Sequence, residues 1–184
     1  NDDVVWQELL DLTKKKYLVK FDKYKELKTH LGRDPVISAF VVITKERNGK
    51  VKKRIILNLK RSKVSSSSVS SERVLLPRTL DNTWDLMDLM AERRKKGGDI
   101  DIIIIDFKDA FWHLPVMEEE EPFLVGKCRG CYFLFKRAAQ GSRGAPLIWG
   151  RLVALLNRLT AQMHEMDAYR ASIYVDDPML MARG

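Results

Sequence analysis

The chain has few of the residues that a zinc-binding, redox or membrane protein needs. It contains two cysteines and three histidines, and no histidine has the spacing that would complete a zinc site with Cys128 and Cys131. The C-x-x-C spacing is compatible with redox function, but Arg129-Gly130 between the cysteines favours a hairpin tip. No segment reaches the roughly 20 apolar residues of a membrane span, and no signal peptide begins at Asn1. We therefore expect no membrane partner.

Acidic residues are outnumbered by cations. The sequence has 33 Lys and Arg against 25 Asp and Glu, a formal net charge of +8. This excess favours a polyanionic partner, although a solvated basic surface gives the same balance. With 184 residues and 45% hydrophobic residues, the chain is long enough for one packed domain or two small subdomains.

Two adjacent aspartates interrupt the apolar run 173–181. Asp176 and Asp177 repel each other and resist burial, so such a pair is usually neutralised by a metal or by protons. Oxygen ligands favour Mg²⁺ or Mn²⁺, whose usual chemistry is phosphoryl transfer. The alternative is a plain β-turn, because Asp is common in turns and Pro178 follows.

A third carboxylate, Asp106, ends the run 99–106, which reads as a buried β-strand. It either caps the following turn or functions at the strand end. If the sheet brings Asp106 beside Asp176 and Asp177, the three carboxylates form a cradle for two divalent ions roughly 3.5–4 Å apart.

The remaining pattern predicts an α+β fold, with an antiparallel sheet and helices on one face. We expect a helix over 4–31, a hairpin of 36–44 and 51–59 around Asn48-Gly49, and a loop over 65–71. A helix from Asp81-Asn82 to Lys96 should follow, then a cysteine hairpin of 123–127 and 132–136. A long helix should begin near Ala145, with its apolar stripe (Leu147, Trp149, Leu152, Leu155, Leu156 and Leu159) in the core.

Two segments suit phosphate groups. Lys52 and Arg54 share one face of the predicted return strand, where cations would stabilise a triphosphate; the alternative is an edge strand protected by lysines. Gln140 and Gly141 lie in a glycine-bearing segment, 138–146, that permits close backbone approach to a sugar-phosphate chain. Its alternative is an ordinary helix-entry loop.

Four blocks occur together in the order of one family: 54–60 (RIILNLK), 106–111 (DFKDAF), 140–146 (QGSRGAP) and 174–177 (YVDD). Over residues 36–181 the chain resembles the fingers and palm of retroelement reverse transcriptases. The sequence of residues 106–115 is similar to the retrotransposon and pararetrovirus versions of the block that contains Asp106.

The resemblance implies a right-hand polymerase, with fingers at 36–77 and 115–140, palm at 78–114 and 141–184, and an N-terminal helical segment at 1–35. It implies RNA-directed DNA synthesis by two-metal nucleotidyl transfer, with Mg²⁺, or Mn²⁺ in its place, as cofactor. Implied partners are an RNA or DNA template with its primer and deoxynucleoside triphosphates, and the implied location is intracellular, in the cytoplasm or nucleus.

The same resemblance assigns a role to each site residue. The metal would be held by Asp106, Asp176 and Asp177, with the backbone of Phe107 beside it. The incoming nucleotide would be contacted by Lys52, Arg54, Asp109, Ala110, Phe111 and Gln140. Phe111 would be the steric gate against a ribose 2′-OH. Template and primer would be contacted by Gly141, Tyr174 and Val175.

Three departures from the family pattern stand out. Asn58 replaces a common Asp, Ala138-Ala139 replaces Leu-Pro, and Pro178 suggests an edge position or a decayed element. The sequence ends at Gly184, so we expect the thumb and any RNase H or integrase region to be absent. Two alternatives remain: an inactive remnant that binds nucleic acid through basic fingers, and an RNA-directed RNA polymerase, against which Phe111 argues.

Overall fold

The computed structural model describes residues 2–47, 49–67, 76–165 and 168–184. The helices are α1 (Asp2–Lys14), α2 (Tyr24–Leu31), α3 (Val64–Ser67), α4 (Thr79–Lys96) and α5 (Ala145–Ala161). The strands are β1 (Leu18–Phe21), β2 (Ile37–Ser38), β3 (Phe40–Arg47), β4 (Lys50–Leu57), β5 (Ile100–Ile104), β6 (Val125–Cys128), β7 (Cys131–Phe135), β8 (Tyr169–Tyr174) and β9 (Asp177–Arg183). This is a mixed α+β fold, as the sequence predicts.

The chain divides into two compact units, each built from two segments. The first unit contains Asn1–Ser71 and Phe111–Ala145, and the second contains Glu72–Ala110 and Pro146–Gly184. Each site residue therefore has its position fixed within one of these units.

The first unit holds a four-stranded sheet in the order β1-β7-β6-β2 and the separate hairpin β3–β4. The prediction of continuous helix over 4–31 is wrong, because β1 pairs antiparallel with β7, with Leu18 opposite Phe135. Burial of Leu9, Leu18 and Phe133 in one core cluster explains why tertiary packing overrides the local helical pattern.

The β3–β4 hairpin confirms the predicted strand pair, with Phe40 opposite Leu57. Asn48 of the expected turn lies outside the described residues. The expected loop at 65–71 is wrong in its first part, since α3 covers Val64–Ser67; residues 68–71 lie outside the described part.

The second unit is an antiparallel sheet in the order β5-β9-β8, with α4 against it. Helix α4 begins earlier than predicted. Arg78 is its N-cap, and the backbone N–H of Arg78 donates to Asp81 Oδ2 at 2.9 Å. Asp81, where the sequence pattern placed the start of the helix, is therefore its third residue, and its carboxylate caps the helix from within the first turn.

Two predictions of burial are wrong in the second unit. β5 is exposed on both faces, with Ile102 at 49% and Ile103 at 55% exposure, and it is an edge strand that pairs, among the described strands, with β9 alone. The stripe of α5 is also largely exposed: Trp149 and Val153 are buried, whereas Leu152, Leu155, Leu156 and Leu159 are not.

Pro178 lies in β9, the central strand of this sheet, so the edge position expected from the sequence is wrong. The last pair between β5 and β9 joins Ile104 to Met179, one residue short of Pro178. A proline lacks the N–H that a ladder needs, and here that gap falls where the regular pairing with β5 has ended. The proline is therefore accommodated without breaking the β5–β9 ladder.

Among the described residues, no helix is both long and apolar enough to cross a membrane.

Candidate functional site

The aspartate pair is set by a tight hairpin between β8 and β9. Tyr174 pairs with Asp177, which leaves Val175 and Asp176 as the two turn residues. Val175 has φ 60°, a conformation that is strained for a β-branched side chain and costs about 1–3 kcal/mol. Asp176 therefore projects from a strained turn, and Asp177 begins the returning strand.

Two backbone hydrogen bonds bring the end of β5 to this turn. The N–H of Ile105 donates to Pro178 O at 3.0 Å, and the N–H of Phe107 donates to Asp176 O at 2.9 Å. Asp106 lies between the two donors, so its backbone is held beside Asp176. Asp106 and Asp177 are exposed, and Asp176 is half-buried, which leaves all three carboxylates within reach of solvent and ligands.

Trp149 supports the turn from α5. Its indole Nε1 donates to the carbonyl oxygen of Val175 at 2.7 Å, and its ring meets Phe107 edge to face at 5.3 Å. One buried side chain thus contacts both the strained turn and the segment that follows β5. From the sequence, Trp149 was assigned to core packing alone. A buried indole N–H needs a hydrogen-bond acceptor, and this requirement is what could have indicated a second role for Trp149.

The donor chemistry at this turn fits a hard divalent cation. Carboxylate oxygens are the ligands that Mg²⁺ prefers, and the backbone pairing places two of the three aspartates side by side. Within the described ranges, no group of three His, Cys, Asp or Glu side chains has already converged into a metal-binding cluster. The types of ligand at this turn therefore suit a hard divalent cation, but the described side chains do not converge on one.

The segment after Asp106 turns sharply. Asp109 has φ 59°, and Ala110 is buried at the start of a short 3₁₀-helix, Ala110–His113. Phe107, Asp109 and Ala110 belong to the second unit with the aspartates, whereas Phe111 belongs to the first.

In the first unit, the Gln140-Gly141 segment lies against β4. The N–H of Leu57 donates to Gln140 O at 3.2 Å. Gly141 has φ +107°, and a Cβ built there would lie 2.8 Å from both Ile56 Cγ2 and Leu57 O. Only glycine fits this approach without a shift.

A pocket of about 210 Å³ opens where these segments meet. Its walls are apolar side chains of β3 and β4, the backbone of Gly141, and the polar groups of Asn58, Lys60 and Ser65. Asn58 Oδ1 accepts a hydrogen bond from the N–H of Arg61 at 3.1 Å. The side-chain oxygen of Asn58 therefore holds the turn after β4, a role that the carboxylate of an Asp could fill equally well.

The predicted phosphate-binding cations lie on the β4 strand. Arg54 pairs with Ile43 across the hairpin and is exposed. Lys52 pairs with Lys45, and its side chain lies outside the described part of the structure. The structure thus gathers Arg54, Gln140 and Gly141 in one unit and Asp106, Asp176 and Asp177 in the other.

A second groove, which the sequence reasoning missed, lies within the second unit. It encloses about 520 Å³ and is lined by Val175 of the turn and by one side of α5, including Gly150, Arg151 and Arg158. Arg151 and Arg158 are seven residues apart in the chain, a spacing that places both on one face of a helix. This seven-residue spacing of arginines is the sequence feature that could have indicated the groove.

The cysteine pair is the predicted hairpin tip. Cys128 pairs with Cys131, and Arg129 and Gly130 between them have φ 49° and 79°. Burial raises the pKa of both thiols, so they stay protonated at neutral pH. This environment is unlike that of a reactive thiolate.

Comparison with known proteins gives a structural likeness. No protein-family model matches the sequence, and no curated protein matches it. A solved structure of the foamy viral protease-reverse transcriptase in complex with double-stranded DNA is similar, with a TM-score of 0.64 and 17% identity. The match covers 98% of this chain and 26% of that chain, so the chain spans about a quarter of the viral protein.

At this identity the likeness shows the fold. Together with the mixed sheets and the aspartate turn, it gives the chain a fold like that of part of a viral reverse transcriptase.

Proposed function

We propose that this chain carries the polymerase site of an RNA-directed DNA polymerase that extends a primer 3′-OH with deoxynucleotides. The observation that carries the proposal is the hydrogen bond from Phe107 N–H to Asp176 O. It joins the two sequence blocks that hold the acidic residues. The four-block resemblance and the fold likeness to a reverse transcriptase support the same reaction.

The proposed ligands for divalent metal are Asp106, Asp176 and Asp177. When bound, two Mg²⁺ ions supply charge neutralisation at the phosphates and a lowered pKa for the primer hydroxyl. The role proposed for the protein itself is to position the reacting groups. The Trp149 hydrogen bond fixes the turn, and the backbone of Phe107, Asp109 and Ala110 is assigned to contacts with the triphosphate.

The first unit supplies the proposed nucleotide and template contacts. Arg54 and Lys52 are assigned to the triphosphate, because fixed cations stabilise charge that develops during transfer. Gln140 is assigned to the incoming nucleotide. The pocket beside Gly141 would accept a template base, since its apolar walls suit a flat ring and its glycine permits close approach. Phe111 is the proposed gate against ribonucleotides.

The groove beside Val175 is the proposed path of a nucleic-acid strand in the second unit. Arg151 and Arg158 flank it, and guanidinium groups bind backbone phosphates. Tyr174 and Val175 would contact the primer end where this path reaches the aspartates. We assign the second unit to the polymerase palm. The first unit, without the N-terminal segment 1–35, is assigned to the fingers.

The direct test is primer extension on an RNA template with Mg²⁺ and deoxynucleotides. We compare the wild type with Asp176→Asn and with Asp101→Asn, an exposed aspartate on β5 that lies outside the site. Asp176→Asn should reduce extension at least a hundredfold, in the range expected when a charge-stabilising group is lost, and Asp101→Asn should leave it unchanged.

Three results would contradict the proposal. Equal losses in both variants would mean that general charge, not the turn, governs activity. Template binding with no extension by wild type, even with Mn²⁺, would favour a nucleic-acid-binding protein without catalysis. Extension with ribonucleotides in preference to deoxynucleotides would favour an RNA polymerase, and Phe111→Ala tests the gate by asking whether sugar selection relaxes.

A further inference from the structure

Cys128 and Cys131 lie opposite each other at the tip of the β6–β7 hairpin, and no step of the proposed reaction uses them. They form the last pair of the ladder between these strands. Side chains of directly opposed residues lie on the same face of an antiparallel pair, and both cysteines are half-buried free thiols. They are the only two cysteines in the sequence, so any reaction between thiols of one chain takes place here.

The spacing between the two strands suits a disulfide bond. Directly opposed residues of an antiparallel pair have Cα atoms about 4.5–5.5 Å apart, and disulfides join residues whose Cα atoms are about 4.4–6.8 Å apart. The Cβ atoms of such pairs lie about 4.5–5.5 Å apart, whereas a disulfide needs about 3.5–4.5 Å. Closure therefore requires a small approach of the Cβ atoms and no change in the register of the strands.

The turn between the cysteines is tethered to helix α1. Arg129 and Gly130 both have positive φ, at 49° and 79°, as in a tight type I′ turn. The guanidinium of Arg129 donates to Asp3 and lies 5.6 Å from the centroid of the Trp6 ring. These contacts hold the hairpin tip against α1, so the fold itself keeps the two thiols together.

An acidic residue at the end of β1 contacts one of the thiols. Cys131 Sγ donates to Asp22 Oδ1 at 3.4 Å, and the same oxygen lies 2.7 Å from Lys20 Nζ. The sulfur can donate this hydrogen bond only while it carries its proton, because a disulfide sulfur has no hydrogen. Asp22 therefore stabilises the reduced form of the pair relative to the disulfide.

A metal centre is the other chemistry that a C-x-x-C pair suggests. Structural zinc sites are almost always four-coordinate. In the part of the chain that the structure describes, no three His, Cys, Asp or Glu side chains come together as a metal-binding group, and the carboxylate beside Cys131 already pairs with a lysine. The surroundings of the two thiols thus favour thiol–disulfide chemistry.

We propose that Cys128 and Cys131 form a dithiol that oxidises to a disulfide within the β6–β7 hairpin, and that Asp22 favours its reduced form. With glutathione disulfide as the oxidant, one cysteine thiolate attacks that disulfide and releases one glutathione. The second cysteine thiolate then attacks the mixed disulfide and releases the other glutathione. The protein loses two protons and two electrons, and glutathione disulfide takes up both to give two glutathione thiols.

The surroundings of the pair make this exchange slow at neutral pH. Burial raises the pKa of both thiols, so little thiolate is present to attack. The position of the equilibrium depends instead on the geometry of the hairpin and on the hydrogen bond to Asp22. The pair should therefore stay reduced through brief exposure to an oxidant and close under sustained oxidation. The inference does not depend on the polymerase proposal, since it concerns no residue of the aspartate turn.

The test measures the equilibrium between dithiol and disulfide in glutathione buffers at mildly alkaline pH. After an acid quench, N-ethylmaleimide in urea labels the remaining thiols, and mass spectrometry counts the labels on each chain. The folded chain should favour the disulfide about tenfold more than the chain equilibrated in urea, because closing this loop costs the unfolded chain more entropy. Cys128→Ser and Cys131→Ser should give only the mixed disulfide with glutathione. A folded chain that favours the disulfide no more than the unfolded chain, or that forms disulfides between chains instead, would overturn the proposal.

The role of Asp22 has its own matched control. Asp22→Ala removes the acceptor of the Cys131 thiol and should shift the equilibrium severalfold toward the disulfide. Asp34→Ala should not shift it, although Asp34 is also an exposed aspartate paired with a lysine, because its hydrogen bonds come from Tyr24 and Lys28. Equal shifts in the two variants, or a shift of Asp22→Ala toward the dithiol, would refute the role of Asp22.

Discussion

Replacing Trp149 with Phe should destabilise the second unit through the aspartate turn. The phenyl ring keeps most of the packing against Phe107, but it removes the indole N–H that donates to Val175 O at 2.7 Å. The substitution therefore separates one hydrogen bond from the aromatic contact that accompanies it.

The loss of unfolding free energy depends on whether Val175 O is left without a hydrogen-bond donor. A neutral hydrogen bond contributes about 1 kcal/mol net, and an acceptor left unsatisfied in a partly buried site raises the cost to about 1–3 kcal/mol. The turn also holds Val175 at φ 60°, a strain of about 1–3 kcal/mol. Without the indole, part of that strain should be released by a shift of the turn.

Urea unfolding of a double-mutant cycle measures this coupling. Val175→Gly removes the strain, because glycine adopts positive φ freely, and should stabilise the chain alone. In that background Trp149→Phe should cost more than in wild type, because no strain is left for the loss of the indole to release, with a coupling of about 0.5 kcal/mol or more. Strict additivity, or no destabilisation by Trp149→Phe, would refute the view that Trp149 holds a strained turn.

Three further predictions concern the first unit. Gly141→Ala should cost about 1–3 kcal/mol in urea unfolding because its Cβ would meet β4 at 2.8 Å, whereas Gly144→Ala, with nothing within 4 Å, should be nearly neutral; equal effects would contradict the packing argument. Lys136→Met should cost about 3 kcal/mol, since it strands buried Glu121, whose two oxygens accept from Lys136 Nζ at 2.6 and 2.7 Å, and a change below 1 kcal/mol in unfolding free energy would contradict this. Alkylation of Cys131 by iodoacetamide should be slow at neutral pH and accelerate with rising pH beyond the range of an ordinary thiol, because burial raises its pKa; a rapid reaction at pH 7 would show a thiolate.

Local signals in the sequence predict much of this structure. The C-x-x-C segment predicts a hairpin tip, and a β-turn at Asp176-Asp177 was one of the two interpretations of the 173–181 run; both segments are two-residue turns between paired strands. The end of α4 at Gly97-Gly98 was equally local: Gly97 N–H donates to Arg93 O at 2.8 Å. Such features need no knowledge of distant partners.

Errors arose where long-range packing decided the outcome. Leu18–Phe21 joined a sheet because β7, more than a hundred residues later, offered a partner. The α5 leucines and the isoleucines of β5 have periodicities typical of a core, yet they are exposed. Periodicity identifies an apolar face, but it does not say whether that face is covered by the same chain.

The sequence predicts the acidic residues of the candidate site but not the contacts that hold them in place. The aspartates were identified from their unusual surroundings, whereas Trp149 and the strained Val175 backbone depend on a contact between α5 and a hairpin far along the sequence. No composition signal distinguishes an indole that packs from one that also donates to a particular carbonyl.

The interleaved segments of the two units have a consequence for synthesis on the ribosome. β5, with its run of isoleucines, emerges before β6, β7, α5 and β8, and its described partner β9 is made after all of them. During that interval an unpaired, β-branched strand is available to other nascent chains, a recognised route to aggregation. Asp99, Asp101 and Asp106 flank and interrupt this run, so their charges would also keep the unfinished chain soluble. Acidic residues of β5 and of the aspartate turn would in this way protect the protein before that turn has formed.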